Sequence, residues 1–322
     1  MGSTLTAIGS YTPEKVLSNE YFESIVETSN DWIVQRTGIK ERRAVSNETT
    51  LTMAKQAVLA LSKRYNKDIQ DVDFILFASS TAEHKIPSLS SQLQAELRIS
   101  NAGAFDLAAA CAGFAYGIIM AQSLISAGVC KKILIVASEV LTRYTDYTDR
   151  STCILFGDSA AAGLLEADPD AKNYLPVFGT EGQYGSALYL SEFATELNNI
   201  SIRNNNKIVQ DGRKVFKWAV ERMSRKFNEL LELNDLSINE IDYFVPHSAN
   251  LRIIESICTN VEFDKTKTLN SVEMFGNTSA VTIPLAIDLA IKDNRLAKGH
   301  KLLLLGFGGG LTYAGTIIEW DI

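Results

Sequence analysis

Cysteine is scarce in this 322-residue chain: the four present, Cys111, Cys130, Cys153 and Cys258, stand far apart and form no C-x-x-C pair. Neighbouring thiols therefore build neither a zinc knuckle nor a dense disulfide framework, and a reducing cytoplasm is the expected location. Histidine occurs only three times, at His84, His247 and His300, without any ligand spacing, so no metal site is expected. Six prolines and no low-complexity stretch leave no obvious linker. No apolar run reaches the roughly 18 residues of a membrane span, and the N-terminus lacks the basic and apolar regions of a secretory signal. Met1 to Thr6 fits a loose myristoylation pattern, but Leu5 to Ile8 reads better as a buried strand. Positive charge is in deficit as well, with a net charge of −7, which argues against nucleic acid as a partner.

What is present is a large core. Hydrophobic residues make up 46% of the chain, and short β-rich runs alternate with longer helical patterns, as in layered α/β folds. Phe74 to Phe77, Lys132 to Ala137, Tyr243 to Val245 and Lys301 to Leu305 are the clearest buried strands. The polar stretch Glu196 to Lys207 reads as a surface excursion. The chain also repeats itself. Ile69 to Ser79 overlays Ile238 to Ser248, and Lys132 to Val136 overlays Lys301 to Leu305, both at an offset of 169 residues (238 − 69 and 301 − 132). Two halves of one topology follow, residues 1–170 carrying Cys111 and residues 171–322 carrying His247 and Asn277. Strand ends and helix N-termini converge on the sites of α/β folds, so these three residues are candidates to meet.

Cys111 sits among small residues in Asp106 to Gly117, at the start of an apolar helical run. A thiol at a helix N-terminus has its thiolate favoured by the dipole and free N–H groups, although a lone cysteine in an apolar run also serves as plain core. His247, in Val245-Pro-His-Ser-Ala-Asn250, ends a strand, where it can donate to an oxyanion, move a proton, or simply hold the chain. Asn277, before the repeat helix, is either an amide donor into a cavity or an N-cap. The segment Gly306-Phe-Gly-Gly-Gly310 fails the G-x-G-x-x-G test because Leu311 stands where the last glycine belongs; it reads as a bend whose N–H groups are available to an oxyanion, or as a tight hairpin.

Together, Ala109 to Phe114, Val245 to Arg252, Phe275 to Ala280, Gly306 to Thr312 and Asn30 to Gly38 resemble the β-ketoacyl-(acyl carrier protein) synthase III family nearly end to end. The resemblance implies a thiolase-like, duplicated αβαβα fold and an acyltransferase that initiates fatty-acid synthesis. It implies that Cys111 takes the acyl group from an acyl-CoA and that malonyl-(acyl carrier protein) then loses CO2 and attacks the acyl-enzyme. His247 and Asn277 would hold the malonyl thioester oxygen, and the N–H groups of Cys111 and Gly309 would form the oxyanion hole. No metal or redox cofactor is required; coenzyme A enters as a thioester substrate. Trp32, Arg36 and Arg150 match positions near the CoA nucleotide, Gly212 and Asn250 match the pantetheine tunnel, and Phe307 packs by the sulfur. Lys217 and Arg252 match carrier-docking positions; Lys217 lies in a basic run with Arg213, Lys214, Arg222, Arg225 and Lys226, and Arg252 comes just after the histidine motif. Ile86, before Pro87, matches a residue that reaches across a homodimer interface into the partner's acyl pocket. A biosynthetic thiolase would place a second cysteine in the glycine-rich bend, where Phe307 stands, and elongating synthases pair two histidines where this chain has one and Asn277. A pathway-specific acyltransferase or ketosynthase on the same fold is the remaining enzymatic alternative, and a noncatalytic acyl- or carrier-binding protein is the alternative of another class.

Overall fold

The strand Lys132–Val140 is buried at every position, as a strand covered on both faces must be. In the computed structural model, which describes residues 1–322, it lies in a five-stranded sheet ordered Gly2–Tyr11, Asp158–Asp168, Lys132–Val140, Phe74–Ala78, Gly103–Leu107. A second sheet is ordered Tyr243–Pro246, Lys301–Gly308, Thr312–Glu319, Val177–Thr180. The offset of 169 is visible down to register: Phe74 pairs with Ile133 in one sheet, and Tyr243 with Leu302 in the other, both parallel. Asp73 and Asp242 repeat each other too. Each accepts a hydrogen bond from the first backbone N–H of its neighbouring strand, Lys132 at 2.9 Å and Lys301 at 2.8 Å.

Alternation along the strands sorts side chains into layers. Ile133, Ile135 and Ala137 face Leu302 and Leu304 across the helices Gly113–Ser126 and Thr282–Lys292, which form the middle of the molecule. Leu134 and Val136 point outward against the helix Thr50–Tyr65. Leu303 and Leu305 point outward against Gly212–Leu233 and Leu251–Val261. The order is helix, sheet, helix, sheet, helix, the αβαβα arrangement implied by the sequence. The outer helices carry ordinary signals: Thr49 and Thr52 form a capping box, and Val215, Ala219, Met223, Phe227 and Leu231 recur every fourth residue on a buried face.

A buried carboxylate ties the halves together. Asp288, on the second central helix, is fully buried and accepts from Ser10 and Arg64 of the first half and from Lys292 at 2.8 Å. These donors hold its carboxyl below the ordinary range despite burial. Asp288→Ala is expected to lower stability by about 2–4 kcal/mol, since it strips a buried charge network, whereas Lys292→Ala, at a half-exposed site, should cost less than about 1 kcal/mol. Denaturant titration decides between them. Because the folded-state pKa is depressed, the contribution is present above about pH 4 and lost as pH falls through the folded value, so the variant should lose less stability than the parent on acidification.

Candidate active site

Cys111 lies in a tight turn, Ala110–Ala112, that runs into the helix Gly113–Ser126. Ala110 has φ of 44°, and its counterpart Ser279, at the matching turn Ser279–Val281, has φ of 52°. Such left-handed backbone is uncommon outside glycine and concentrates at sites. The strand Lys301–Gly308 passes over the thiol. A Cβ on Gly308 would stand 2.8 Å from the Cys111 nitrogen and 3.1 Å from its Sγ, so only glycine lets the backbone approach. The helix proper begins two residues beyond Cys111, and the thiol is enclosed. Burial pushes it up to about 12, outweighing its own N–H and the Ser279 hydroxyl. Burial thus opposes the dipole-favoured thiolate that the sequence suggests.

His247 ends the strand Tyr243–Pro246, fixed by its N–H to the Leu305 carbonyl at 2.9 Å. Its Nδ1 lies 2.8 Å from the Thr282 hydroxyl, and its ring meets Phe307 edge-on at 5.1 Å. Complete burial pushes its pKa down to about 3, so the imidazole is neutral at physiological pH. Asn277 is pinned at both ends of its peptide unit, its N–H to the Leu155 carbonyl at 2.8 Å and its carbonyl to the Gly157 N–H at 3.1 Å. Its Oδ1 accepts from the Ser279 N–H at 2.8 Å, which leaves Nδ2 as a donor without a protein partner. The side chain closes a local turn and does not cap the helix, whose flanking residue is Val281.

The three residues line the inner part of one cavity of about 900 Å³. Phe307, Gly308 and Gly309 share that wall with Ser79, Ser80 and Ser279. Leu141, Ile154, Leu155, Phe156, Leu188 and Ile208 add apolar surface. Trp32, Arg36, Gly212, Asn250 and Arg252 also line it, and Arg150 stacks on the Trp32 ring at 4.3 Å. Asn250 does more than line the wall: it accepts from Arg252 N–H as a helix cap and donates to the Arg36 carbonyl at 3.1 Å. Lys217 is exposed on the helix Gly212–Leu233, one turn after Arg213, which borders the cavity. Within the basic run, Lys214, Arg222, Arg225 and Lys226 are paired with Asp211, Glu181, Glu221 and Glu229, so Arg213, Lys217 and Arg252 are the cations left without carboxylates. Ile86 is not brought to this cavity; it is 90% exposed on the surface. Sequence reasoning missed Gly308 and Ser279, although the offset of 169 pairs Ser279 with Ala110 beside the nucleophile. It also missed Leu197, which reaches the cavity from within the polar excursion.

Two family profiles match the chain: 3-oxoacyl-[acyl-carrier-protein] synthase III over residues 105–182 and its C-terminal counterpart over residues 231–320. The chain is similar to β-ketoacyl-[acyl-carrier-protein] synthase III 2 of Staphylococcus epidermidis, at 49% identity over 99% of this chain and 98% of the relative. It is 47% identical to the protein of the same name in Bacillus subtilis, over 99% of this chain and 98% of the relative. Among solved structures it superposes on β-ketoacyl-[acyl carrier protein] synthase III of Thermus thermophilus with a TM-score of 0.95 and 36% identity, each chain covered to 99%.

The Gly308 contact yields a direct test. Gly308→Ala drives a methyl group into the Cys111 backbone and is expected to lower stability by about 1–3 kcal/mol. Gly182→Ala, with nothing within 4 Å of the added carbon, should melt with the parent protein.

Proposed function

The chain belongs to the 3-oxoacyl-(acyl carrier protein) synthase III family of condensing acyltransferases, and we propose that it joins an acyl-CoA primer to malonyl-(acyl carrier protein) in the cytoplasm. The observation that carries this reading is the meeting of Cys111, His247 and Asn277 at the inner end of a cavity whose outer part offers a Trp32–Arg150 stack and unpaired cations. The Cys111 sulfur attacks the primer carbonyl and CoA departs. Malonyl thioester then enters and its C2–carboxyl bond breaks, releasing CO2. The enolate carbon bonds to the acyl carbonyl carbon, and the Cys111 sulfur is expelled. His247, in the tautomer whose Nδ1 accepts from the Thr282 hydroxyl and whose Nε2 carries the proton, holds the malonyl thioester oxygen together with the Asn277 amide, while the N–H groups of Cys111 and Gly309 receive the tetrahedral oxyanions. Neutral donors suffice, because decarboxylation needs negative charge to be stabilised and no proton to be removed. Cys111 is the one cysteine lining the cavity, which favours decarboxylative condensation over a two-cysteine thiolase reaction.

Trp32 with Arg150 and Arg36 forms an aromatic and cationic clamp suited to a nucleotide and its phosphates. The pantetheine arm would run past Gly212 and Asn250. Arg213, Lys217 and Arg252 surround the entrance and suit an acidic carrier protein. The edge strand Gly103–Leu107, with Phe105 exposed, and the protruding Ile86 support a homodimer in which each Ile86 closes the partner's acyl pocket.

Cys111→Ser is expected to abolish condensation. His247→Ala and Asn277→Ala should slow malonyl decarboxylation on the order of 10²–10³-fold while sparing self-acylation, since one lost oxyanion donor costs about that much at the step it serves. Intact mass after incubation with acyl-CoA and CO2 release from malonyl-(acyl carrier protein) separate the half-reactions; equal losses in both would refute the assignment.

Charge reversal tests the docking surface. Lys217→Glu and Arg252→Glu should raise KM for the carrier substrate severalfold, with the parent's own KM rising with ionic strength, while Arg225→Glu, whose parent residue is already paired with Glu221, changes little. Equal KM values for all three variants would remove the patch.

A further inference from the structure

The Asn277 amide can serve a thioester oxygen only if its backbone is held in place, and that backbone is hung on residues 154–157. The Asn277 N–H donates to the Leu155 carbonyl and its carbonyl accepts from the Gly157 N–H, so that Phe156 and Asn277 form a parallel bridge. What holds residues 154–157 is a cation. Arg42, in the strand Glu41–Ala44, is fully buried, and its guanidinium donates to the Ile154 carbonyl, to Asn19 Oδ1 at 2.8 Å and to the Leu17 carbonyl at 3.3 Å. Asn19 is itself fixed, donating to the Ile39 carbonyl at 2.9 Å and to Asn30 Oδ1 at 3.0 Å. The guanidinium carbon stands 4.4 Å over the centre of the Phe22 ring.

The same residue packs against both sides of the bridge. A Cβ on Gly157 would stand 3.0 Å from the Arg42 Cβ, and one on Gly276, where φ is 64°, would stand 3.1 Å from it. Every acceptor that the guanidinium meets is a neutral oxygen, and although burial pulls its pKa down to about 10 it remains a cation at physiological pH. A charge taken out of water against neutral oxygens alone is a costly way to fill a core, and an apolar chain of similar volume would fill it without that cost. What an apolar chain lacks is the fork, whose one arm holds Ile154 while the other holds Leu17 and Asn19. Arg42 does not line the cavity; Ile154, Leu155 and Phe156, which do, stand in front of it.

We propose that Arg42 is a positioning residue for Asn277: by clamping the Ile154 carbonyl to residues 17–19 it fixes the segment on which the Asn277 peptide is registered, and with it the direction of the Asn277 amide. The proposal rests on the role given to Asn277 above. Arg42 touches no substrate and takes no proton. Its effect belongs to the step that Asn277 serves, the loss of CO2. Self-acylation at Cys111 draws instead on the N–H groups of Cys111 and Gly309 and is expected to be spared.

The test compares the parent with Arg42→Lys, Asn277→Ala and the double variant. Lysine keeps the charge and the stem but donates from one point, so it cannot span both sides of the clamp. Arg42→Lys is expected to lower kcat for CO2 release from malonyl-(acyl carrier protein) about tenfold, with KM for that substrate and the rate of self-acylation by acetyl-CoA or isobutyryl-CoA within about twofold of the parent. Added to Asn277→Ala it should slow CO2 release no further, since the amide it aims is gone. Hydrogen exchange of the Gly157 and Asn277 amides should quicken about tenfold in Arg42→Lys, with the helix Thr282–Lys292 unchanged. A loss shared equally by both half-reactions, a further loss of about tenfold in the double variant, or unchanged exchange at Gly157 and Asn277 would overturn the proposal. If Arg42→Lys does not accumulate as folded protein, Phe22→Leu, which removes the ring beneath the guanidinium, carries the same comparison, with a smaller loss confined to CO2 release. Faster exchange in Arg42→Lys beside an Asn277→Ala variant that releases CO2 at the parental rate would instead overturn the role of Asn277 and leave the clamp standing.

Discussion

Two apolar helices share the space between two sheets, and the site is a consequence of where their first turns come to rest. Gly113–Ser126 and Thr282–Lys292 are mostly buried between the sheets, and apart from Asp288 and Gln122 their buried positions within the helices are filled by apolar or small residues. Their N-terminal turns meet because the residues there are small. A Cβ on Gly113 would stand 2.6 Å from the Ala78 Cβ and 3.5 Å from that of Ala280, the residue that answers to Cys111 in the second half. Any larger side chain at these positions would separate the turns and with them the sulfur, the amide of Asn277 and the serine between them.

Duplication supplies the geometry, and divergence supplies the chemistry. The same backbone turn is used twice, with left-handed backbone at both Ala110 and Ser279. In one copy the next residue is the nucleophile; in the other it is Ala280, and the candidate functional residue, Asn277, lies two positions before the turn. The strands that pass over the turns differ in the same way. Gly308 lets the chain touch the thiol, whereas Glu139 fills the equivalent place with a carboxyl. A near-symmetric frame thus becomes an asymmetric site by exchanging single residues at matched positions.

The offset of 169 made much of this legible before any coordinates. It paired the strands at 74 and 243, matched 132 with 301, and placed Cys111, His247 and Asn277 at strand ends and helix starts, because apolar periodicity is local and survives in each copy. What the chain hid was non-local. The raised Cys111 pKa depends on how much protein closes around the sulfur, which helix position alone does not reveal. The basic run of residues 213–226 looked like one patch, yet Glu181, distant in sequence, neutralises Arg222, and acidic neighbours along the helix neutralise three more.

The electrostatics of the dry end of the cavity decide which chemistry it favours. A thiol held near 12 and an imidazole held near 3 do not form an ion pair at rest. The cations that line the cavity, Arg36, Arg213 and Arg252, are all exposed, toward its mouth, and none is buried with Cys111. A malonyl carboxylate carried inward therefore leaves water without meeting a counter-charge, while the thioester oxygen meets the Asn277 amide and His247. Loss of CO2 moves the negative charge from the unpaired carboxylate to the oxygen that has donors. The same apolar walls exclude the water that would hydrolyse the acyl-enzyme while it waits. A cation placed beside the carboxylate would bind the substrate more tightly and slow its decarboxylation, which is the physical reason for an uncharged inner wall.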